Sequence, residues 1–322
     1  MYSPKDFRKS VLEDTADLVT YSWPTPLVKL SRVSTDGYEV WAKLEFFNPF
    51  SRSIKDRVAV KFVELIRNGK LVYEASSGNL GIALACLSNI LGVKLRVYLP
   101  KKTPKETLTL LRVLGAEITH TDFEAIDERM LNLVFTETRR DGAINPNQFI
   151  NDLNLEAHLE GTAKELLEQI KIIGREPRCI ISGIGTSAHI SAISNLLKPI
   201  YGDKLKIVGV QPLENSLIPG IKRIEHRLKW INSAKVDKIV EIDLKDAIRG
   251  CVEIARFEGI LVGLSSGAVY EAYKRVKNSF GPGIYILVFP DDIFKYLSII
   301  ESVLRSHKQD NLPSCEQGSS PG

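Results

Sequence analysis

The sequence predicts an α/β protein whose parallel sheets are covered by helices, and three observations predict it. Apolar strand-like runs alternate along the chain with stretches of helical period. Of its 322 residues, 44% are hydrophobic and 25% charged, the balance of a globular protein. The length suits roughly two domains of ordinary size.

Taken in order, Val40-Trp41-Ala42-Lys43-Leu44 reads as a strand. Residues 55–67 read as a helix, because Val58, Ala59, Phe62, Val63 and Ile66 recur at i, i+3, i+4 spacing, and Asn68-Gly69 stops it. Leu71-Val72-Tyr73 is the next strand, residues 82–91 the next helical stretch, and Leu95-Arg96-Val97-Tyr98-Leu99 a strand ended by Pro100. The turn-rich Arg139-Arg140-Asp141-Gly142 and Asn145-Pro146-Asn147 place a domain boundary near 140–155. Beyond it come the strands Cys179-Ile180-Ile181, Lys206-Ile207-Val208-Gly209-Val210 and Ile284-Tyr285-Ile286-Leu287-Val288-Phe289. Repeated β-α-β order requires crossovers, and crossovers give parallel strands. Residues 306–322 are polar and poor in apolar side chains, which reads as a disordered tail.

Composition excludes several classes. Lys and Arg number 43 against 39 Asp and Glu, and the net +4 is too diffuse for a nucleic-acid partner. No apolar run approaches the ~18 residues of a membrane span, and Met1-Tyr2-Ser3-Pro4-Lys5-Asp6 opens no secretory signal. Cys86, Cys179 and Cys251 sit in apolar segments and Cys315 in the tail, with no C-x-x-C pair, so neither a disulfide framework nor a cysteine zinc site is expected. His120, His158, His189, His226 and His307 lack ligand spacing, so no metal is expected either. A cytoplasmic enzyme acting on small molecules remains.

Three strand-loop-helix junctions carry small residues where a ligand can approach the backbone: Ser76-Ser77-Gly78-Asn79-Leu80-Gly81, Ser182-Gly183-Ile184-Gly185-Thr186-Ser187-Ala188-His189 and Gly263-Leu264-Ser265-Ser266-Gly267. Each is a tight turn before a helix N-terminus, suited to a carboxylate or phosphate. Gly183-x-Gly185-x-x-Ala188 also fits a loose dinucleotide fingerprint, which leaves an oxidoreductase open. The acidic residue that such a site needs after the next strand is missing; Gln211-Pro212 stands there. Asp291 and Asp292 follow a strand and read as helix caps.

Lys55 stands apart. Ser53 reads as an N-cap, which puts Lys55 in the first helical turn, where the dipole and burial both disfavour an ammonium. That placement suits a lysine that attacks carbonyl carbon.

Lys43-Leu44-Glu45, Asn48-Pro49 and Ser53-Ile54-Lys55-Asp56-Arg57 resemble the lysine motif of the cysteine synthase family, the fold type II pyridoxal-phosphate enzymes. Ser76–Gly81, Gln148-Phe149-Ile150-Asn151, Gly185–His189 and Gly263–Gly267 follow in that family's order, so the resemblance runs over about residues 20–305. Within the family the chain is most similar to archaeal O-phosphoserine sulfhydrylases, through Asn48-Pro49-Phe50-Ser51, Glu156-Ala157-His158, Ile218-Pro219-Gly220-Ile221-Lys222-Arg223-Ile224-Glu225 and Phe294-Lys295-Tyr296-Leu297-Ser298. It departs from the family at Ser187-Ala188-His189, where the phosphate loop is usually glycine-rich and ends in threonine, and at Ile293, where glycine is common.

The resemblance implies two parallel-sheet α/β domains with pyridoxal 5'-phosphate in the cleft between them. Residues 45–150 would form the smaller domain with the substrate loop, and 1–44 plus 151–305 the larger, cofactor-binding one. It implies that Lys55 holds the cofactor and then serves as general base, that Asn79 meets the ring oxygen and Ser265 the pyridine nitrogen. Gly185, Thr186, Ser187, Ala188 and His189 would hold the phosphate, and Ser76, Ser77 and Gln148 the substrate carboxylate. Arg223 would hold the phosphate of O-phosphoserine. The implied reaction makes L-cysteine from O-phospho-L-serine and sulfide through an aminoacrylate, in a homodimer. O-acetylserine sulfhydrylase and cystathionine β-synthase chemistry would use the same residues.

Overall fold

The computed structural model describes residues 11–224 and 228–306. The expected tail from 307 onward lies outside the described residues, as do Cys315, His307, His226, Arg227 and the first ten positions.

Among the described residues nine strands form two sheets. β1 (Leu27–Lys29), β2 (Tyr38–Leu44), β6 (Pro177–Gly183), β7 (Lys206–Pro212), β8 (Lys238–Ile242) and β9 (Gly283–Phe289) make one, in the order β1-β2-β9-β6-β7-β8. Within it only β1 is antiparallel, to β2. β3 (Leu71–Ala75), β4 (Lys94–Leu99) and β5 (Glu117–His120) make a second, all-parallel sheet, extended at β3 by a parallel bridge between Val72 and Ile144.

The strand sequences explain the larger sheet. β9 is apolar over Ile284–Phe289, and all six side chains are buried, as expected of a central strand covered on both faces. One face packs through Tyr285, Leu287 and Phe289 on helices Leu244–Glu258 and Leu264–Phe280; the other packs through Ile284, Ile286 and Val288 on helices Lys164–Ile173 and Ala188–Tyr201. Period two along the strand thus feeds two separate cores.

Helix Lys55–Ile66 and helix Asn79–Leu91 cover one face of the smaller sheet, joining Val58, Phe62 and Ile66 to Val72, Leu84 and Val97. Helix Glu128–Asp141 covers the other, where Met130 and Val134 meet Tyr73 and Tyr98. Among the described residues no helix is long and apolar enough to cross a membrane.

Candidate active site

The three small-residue junctions converge. Ser76, Ser77 and Asn79 from the smaller sheet line one cavity together with Gly185, Thr186, His189 and Ser265 from the larger. Lys55 and Gln148 line it as well. Ser187 and Ala188 are buried in the same turn without lining the cavity.

Lys55 is the first residue of its helix, whose formal N-cap is Ile54 rather than Ser53. Ser53 still helps start it, because its Oγ accepts the Lys55 N–H at 3.1 Å. The first turn is also tied from inside: the Asp56 carboxylate accepts the N–H groups of Phe50 (2.8 Å) and Ser51 (2.9 Å) and the Ser51 hydroxyl. Two residues further on, Arg57 donates to Glu45 at 2.7 and 3.0 Å and to Glu165 at 2.7 Å through each Nη, and Lys43 donates to Glu165 at 2.7 Å. Burial brings the Lys55 amine down to about 8, partly opposed by the Glu74 charge. Burial in turn raises Glu74 to about 8, against the N–H groups of Gln148 and Asn147 that it accepts.

The Ser76–Gly81 junction is held by its first side chain, whose Oγ accepts the N–H groups of Gly78 (3.1 Å) and Gly81 (2.9 Å). That leaves the Ser76 hydroxyl proton free to donate. Gln148 reaches the same junction and donates Nε2 to the Ala75 carbonyl at 2.9 Å. Asn79 donates Nδ2 to Asp291 Oδ2 at 2.8 Å, and its Oδ1 is buried without a partner.

The turn after β6 is strained. Ser187 has φ +71, a left-handed value that a residue with a Cβ adopts at a cost of order 1–3 kcal/mol. Its Oγ is buried without a partner, as is Nδ1 of His189, whose Nε2 meets Ser182 Oγ at 2.8 Å. Gly185 belongs here by necessity: a Cβ would lie 2.9 Å from the Gly220 carbonyl. His158 packs edge-on against His189 at 5.7 Å, and burial holds both imidazoles neutral, His189 down to about 4. A strained turn with unpartnered donors at the head of a fourteen-residue helix suits a phosphate. Asn79 Oδ1 and His189 Nδ1, both on residues that line the cavity, supply polar atoms that pyridoxal 5'-phosphate would satisfy, so the residues present fit that group.

Arg223 departs from expectation. It does not line the cavity; its guanidinium pairs with Glu241 at 2.7 Å and donates to the Pro212 carbonyl at 3.0 Å. The Lys222 N–H donates to the Ile184 carbonyl at 2.6 Å, and it is the Lys222 side chain that lines the cavity. The two aspartates also divide. Asp292 accepts the Phe294 N–H at 3.2 Å, the expected cap, whereas buried Asp291 anchors Asn79 and accepts the Tyr296 hydroxyl. Glycine at 263 leaves room for that carboxylate, since a Cβ there would run into it. Sequence reasoning gave no role to Glu74 or to the Lys222 side chain and read Asp291 as a cap; a carboxylate two residues before Ser76, at the head of that junction, was the one usable signal.

A family model described as pyridoxal-phosphate dependent enzyme matches residues 19–291. The chain is 33% identical over 283 residues to cysteine synthase B of Escherichia coli, covering 85% of this chain and 92% of that one. It is also 33% identical to the cysteine synthase of Aquifex aeolicus over 293 residues, 85% and 88% of the two chains. Among solved structures, a hydrogen sulfide-producing enzyme from Fusobacterium nucleatum superimposes with a TM-score of 0.78 at 28% identity, over 89% of this chain and all of that one. O-ureido-L-serine synthase shares the fold, with a TM-score of 0.82 at 23% identity over 96% and 98% of the chains.

Proposed function

Since the chain belongs to the family of pyridoxal-phosphate dependent enzymes that includes the cysteine synthases, we propose that it makes L-cysteine by β-replacement, from O-phospho-L-serine and sulfide. The observation that carries this reading is Lys55: a buried amine brought down to about 8, in a cavity that also holds the unpartnered Asn79 and His189 atoms. An amine with that value is still mostly protonated near physiological pH, but its neutral fraction is far larger than that of an ordinary lysine, and the neutral amine can both bond a carbonyl carbon and accept a proton.

Pyridoxal 5'-phosphate, when bound, supplies an electron sink for charge developing at the substrate's Cα. Everything else falls to the protein. Lys55 would hold the cofactor and, once displaced by the substrate's amino group, its Nζ would take the Cα proton. Asn79, fixed by Asp291, would offer Oδ1 to the ring hydroxyl. Ser265 would face the pyridine nitrogen with a neutral hydroxyl, which does not keep that nitrogen protonated; this favours loss of a β-substituent over transamination. Gly185, Thr186, Ser187, Ala188 and His189 would hold the phosphate. Ser76, Ser77 and Gln148 would take the substrate carboxylate, Ser76 with the hydroxyl proton that its loop leaves free. None of the described cysteines lines the cavity, and burial raises each thiol, Cys86 to about 11 and Cys251 to about 12.

In this reading the two sheets mark two domains, 45–150 and 1–44 with 151–305, and the protein is a cytoplasmic homodimer. A visible absorption spectrum of the purified protein tests it. We expect a cofactor band that Lys55→Ala abolishes and O-phosphoserine shifts, with cysteine formed once sulfide is added. A protein that stays colourless after incubation with pyridoxal 5'-phosphate would refute it. Turnover of O-acetylserine alone, or of homocysteine in place of sulfide, would move the substrate to the two related chemistries.

A further inference from the structure

Three lysines line the cavity: Lys55, Lys102 and Lys222. Lys102 is compensated by Glu124 at 2.9 Å, and both side chains are mostly exposed. Lys222 differs from both. It extends from the loop after Gly220, beside the larger sheet, and donates Nζ to the Ile126 carbonyl of the smaller-sheet side at 2.8 Å. Its ammonium also sits 4.3 Å from the centre of the Phe149 ring, next to Gln148. It makes no ion pair among the described residues. One N–H of three is committed to Ile126, which leaves two donors and a full charge at the cavity wall. Burial lowers this amine to about 8, with Asp127 opposing the shift and Lys55 adding to it, so the two amines sense each other across the cavity.

An uncompensated cation costs free energy on a cavity wall unless an anion arrives. The substrate's carboxylate already has Ser76, Ser77 and Gln148, hydroxyl and amide donors that need no further charge. The group still to be matched is whatever leaves from Cβ. A phosphate monoester brings up to two negative charges and several acceptor oxygens, whereas an acetyl ester brings none. Arg223, the other cation of this segment, is spent on Glu241. We infer that Lys222, rather than Arg223, is the specificity-determining residue that selects an amino acid carrying an anionic, phosphate-type β-substituent.

The inference rests on the β-replacement reading for its substrate, and the experiment separates the two. The kcat/KM for O-phosphoserine and for O-acetylserine, each with sulfide, is measured for the holoenzyme and for Lys222→Gln, Lys222→Arg and Arg223→Gln. In parallel, binding of inorganic phosphate to each cofactor-loaded protein is titrated by calorimetry. Lys222→Gln should lower kcat/KM for O-phosphoserine about 10–100-fold, the size of one charge-assisted hydrogen bond, chiefly through KM. O-acetylserine should change less than about 3-fold, Lys222→Arg should restore preference for the phosphate ester, and Arg223→Gln should leave the preference as it was. Phosphate binding should weaken with Lys222→Gln alone. Equal losses on both substrates, or a selective loss in Arg223→Gln, would overturn the inference while leaving β-replacement intact. Absent turnover of either substrate, with phosphate binding still lost in Lys222→Gln, would overturn β-replacement and keep the anion site.

Discussion

Replacing Arg57 by Met removes the centre of the buried charge network beneath the Lys55 helix. Arg57 donates to both oxygens of Glu45 and of Glu165 and also to Thr25. Glu45 is fully buried; burial alone would raise its carboxyl, and the Arg57 charge and hydrogen bonds overcome this and hold it at about 2 against an ordinary 4.5. A carboxyl lowered that far by folding contributes roughly 3 kcal/mol at neutral pH. That agrees with the ~3–5 kcal/mol lost when one partner of a buried pair is removed. The sign with pH follows. The wild-type contribution is full above 4.5 and is lost as pH falls through about 2. In Arg57→Met only the Lys43 charge and the Thr25 and Asn48 hydrogen bonds still oppose burial, so the Glu45 carboxyl rises well above its value of about 2 and the variant recovers stability on acidification as Glu45 takes up a proton. Urea denaturation followed by circular dichroism at pH 7.5 and at pH 4.5 measures both. We expect a deficit of ~3–5 kcal/mol at the higher pH, shrinking clearly at the lower. A deficit below ~1 kcal/mol, or one equal at both pH values, would refute the reasoning.

Three other outcomes are expected. His189→Ala removes a buried polar atom from the turn after β6, so, if that turn holds the cofactor's phosphate as proposed, the dissociation constant for pyridoxal 5'-phosphate should rise about 10-fold, read by dialysis and fluorescence, with little change in the fold. Gly185→Ala puts a Cβ 2.9 Å from the Gly220 carbonyl and should displace the turn, lowering cofactor retention by at least about 10-fold while circular dichroism stays native. Glu74→Gln removes a carboxyl that burial keeps largely protonated below about pH 8, so it withdraws only part of a charge from the Lys55 ammonium. The pH midpoint of reconstitution, followed by growth of the cofactor band, should therefore move down by less than ~1 unit; an upward move would reverse the assigned interaction.

Much of this arrangement was legible in the sequence. The i, i+3, i+4 pattern of the Lys55 helix identified Val58, Ala59, Phe62, Val63 and Ile66; four are fully buried, and Val63 is half-buried against the same core. The central apolar strands were equally clear. The edge strands β5 and β8 escaped, because Glu117-Ile118-Thr119-His120 and Lys238-Ile239-Val240-Glu241-Ile242 are short and carry charge, as edges do. At the site, each glycine and serine loop is readable as a turn, but its convergence with the others is a property of chain crossovers. Local pattern cannot choose between adjacent cations either. Lys222 and Arg223 look alike in sequence, and only the path of the loop turns one to the cavity and the other to Glu241. Glu74 escaped for the opposite reason, since burying a carboxylate goes against every compositional expectation.

The strand order has a consequence for how the molecule is made. β9, the last of the described strands in chain order, lies between β2 and β6, and its partner Tyr38–Leu44 emerges some 240 residues earlier. The smaller sheet is continuous in the chain and can complete itself on the ribosome. The larger one cannot: until residues 283–289 appear, β2 and β6 each present an open edge. A chain released before residue 283 would therefore carry a finished smaller sheet beside an unfinished larger one, with two unpaired edges exposed to neighbouring nascent chains.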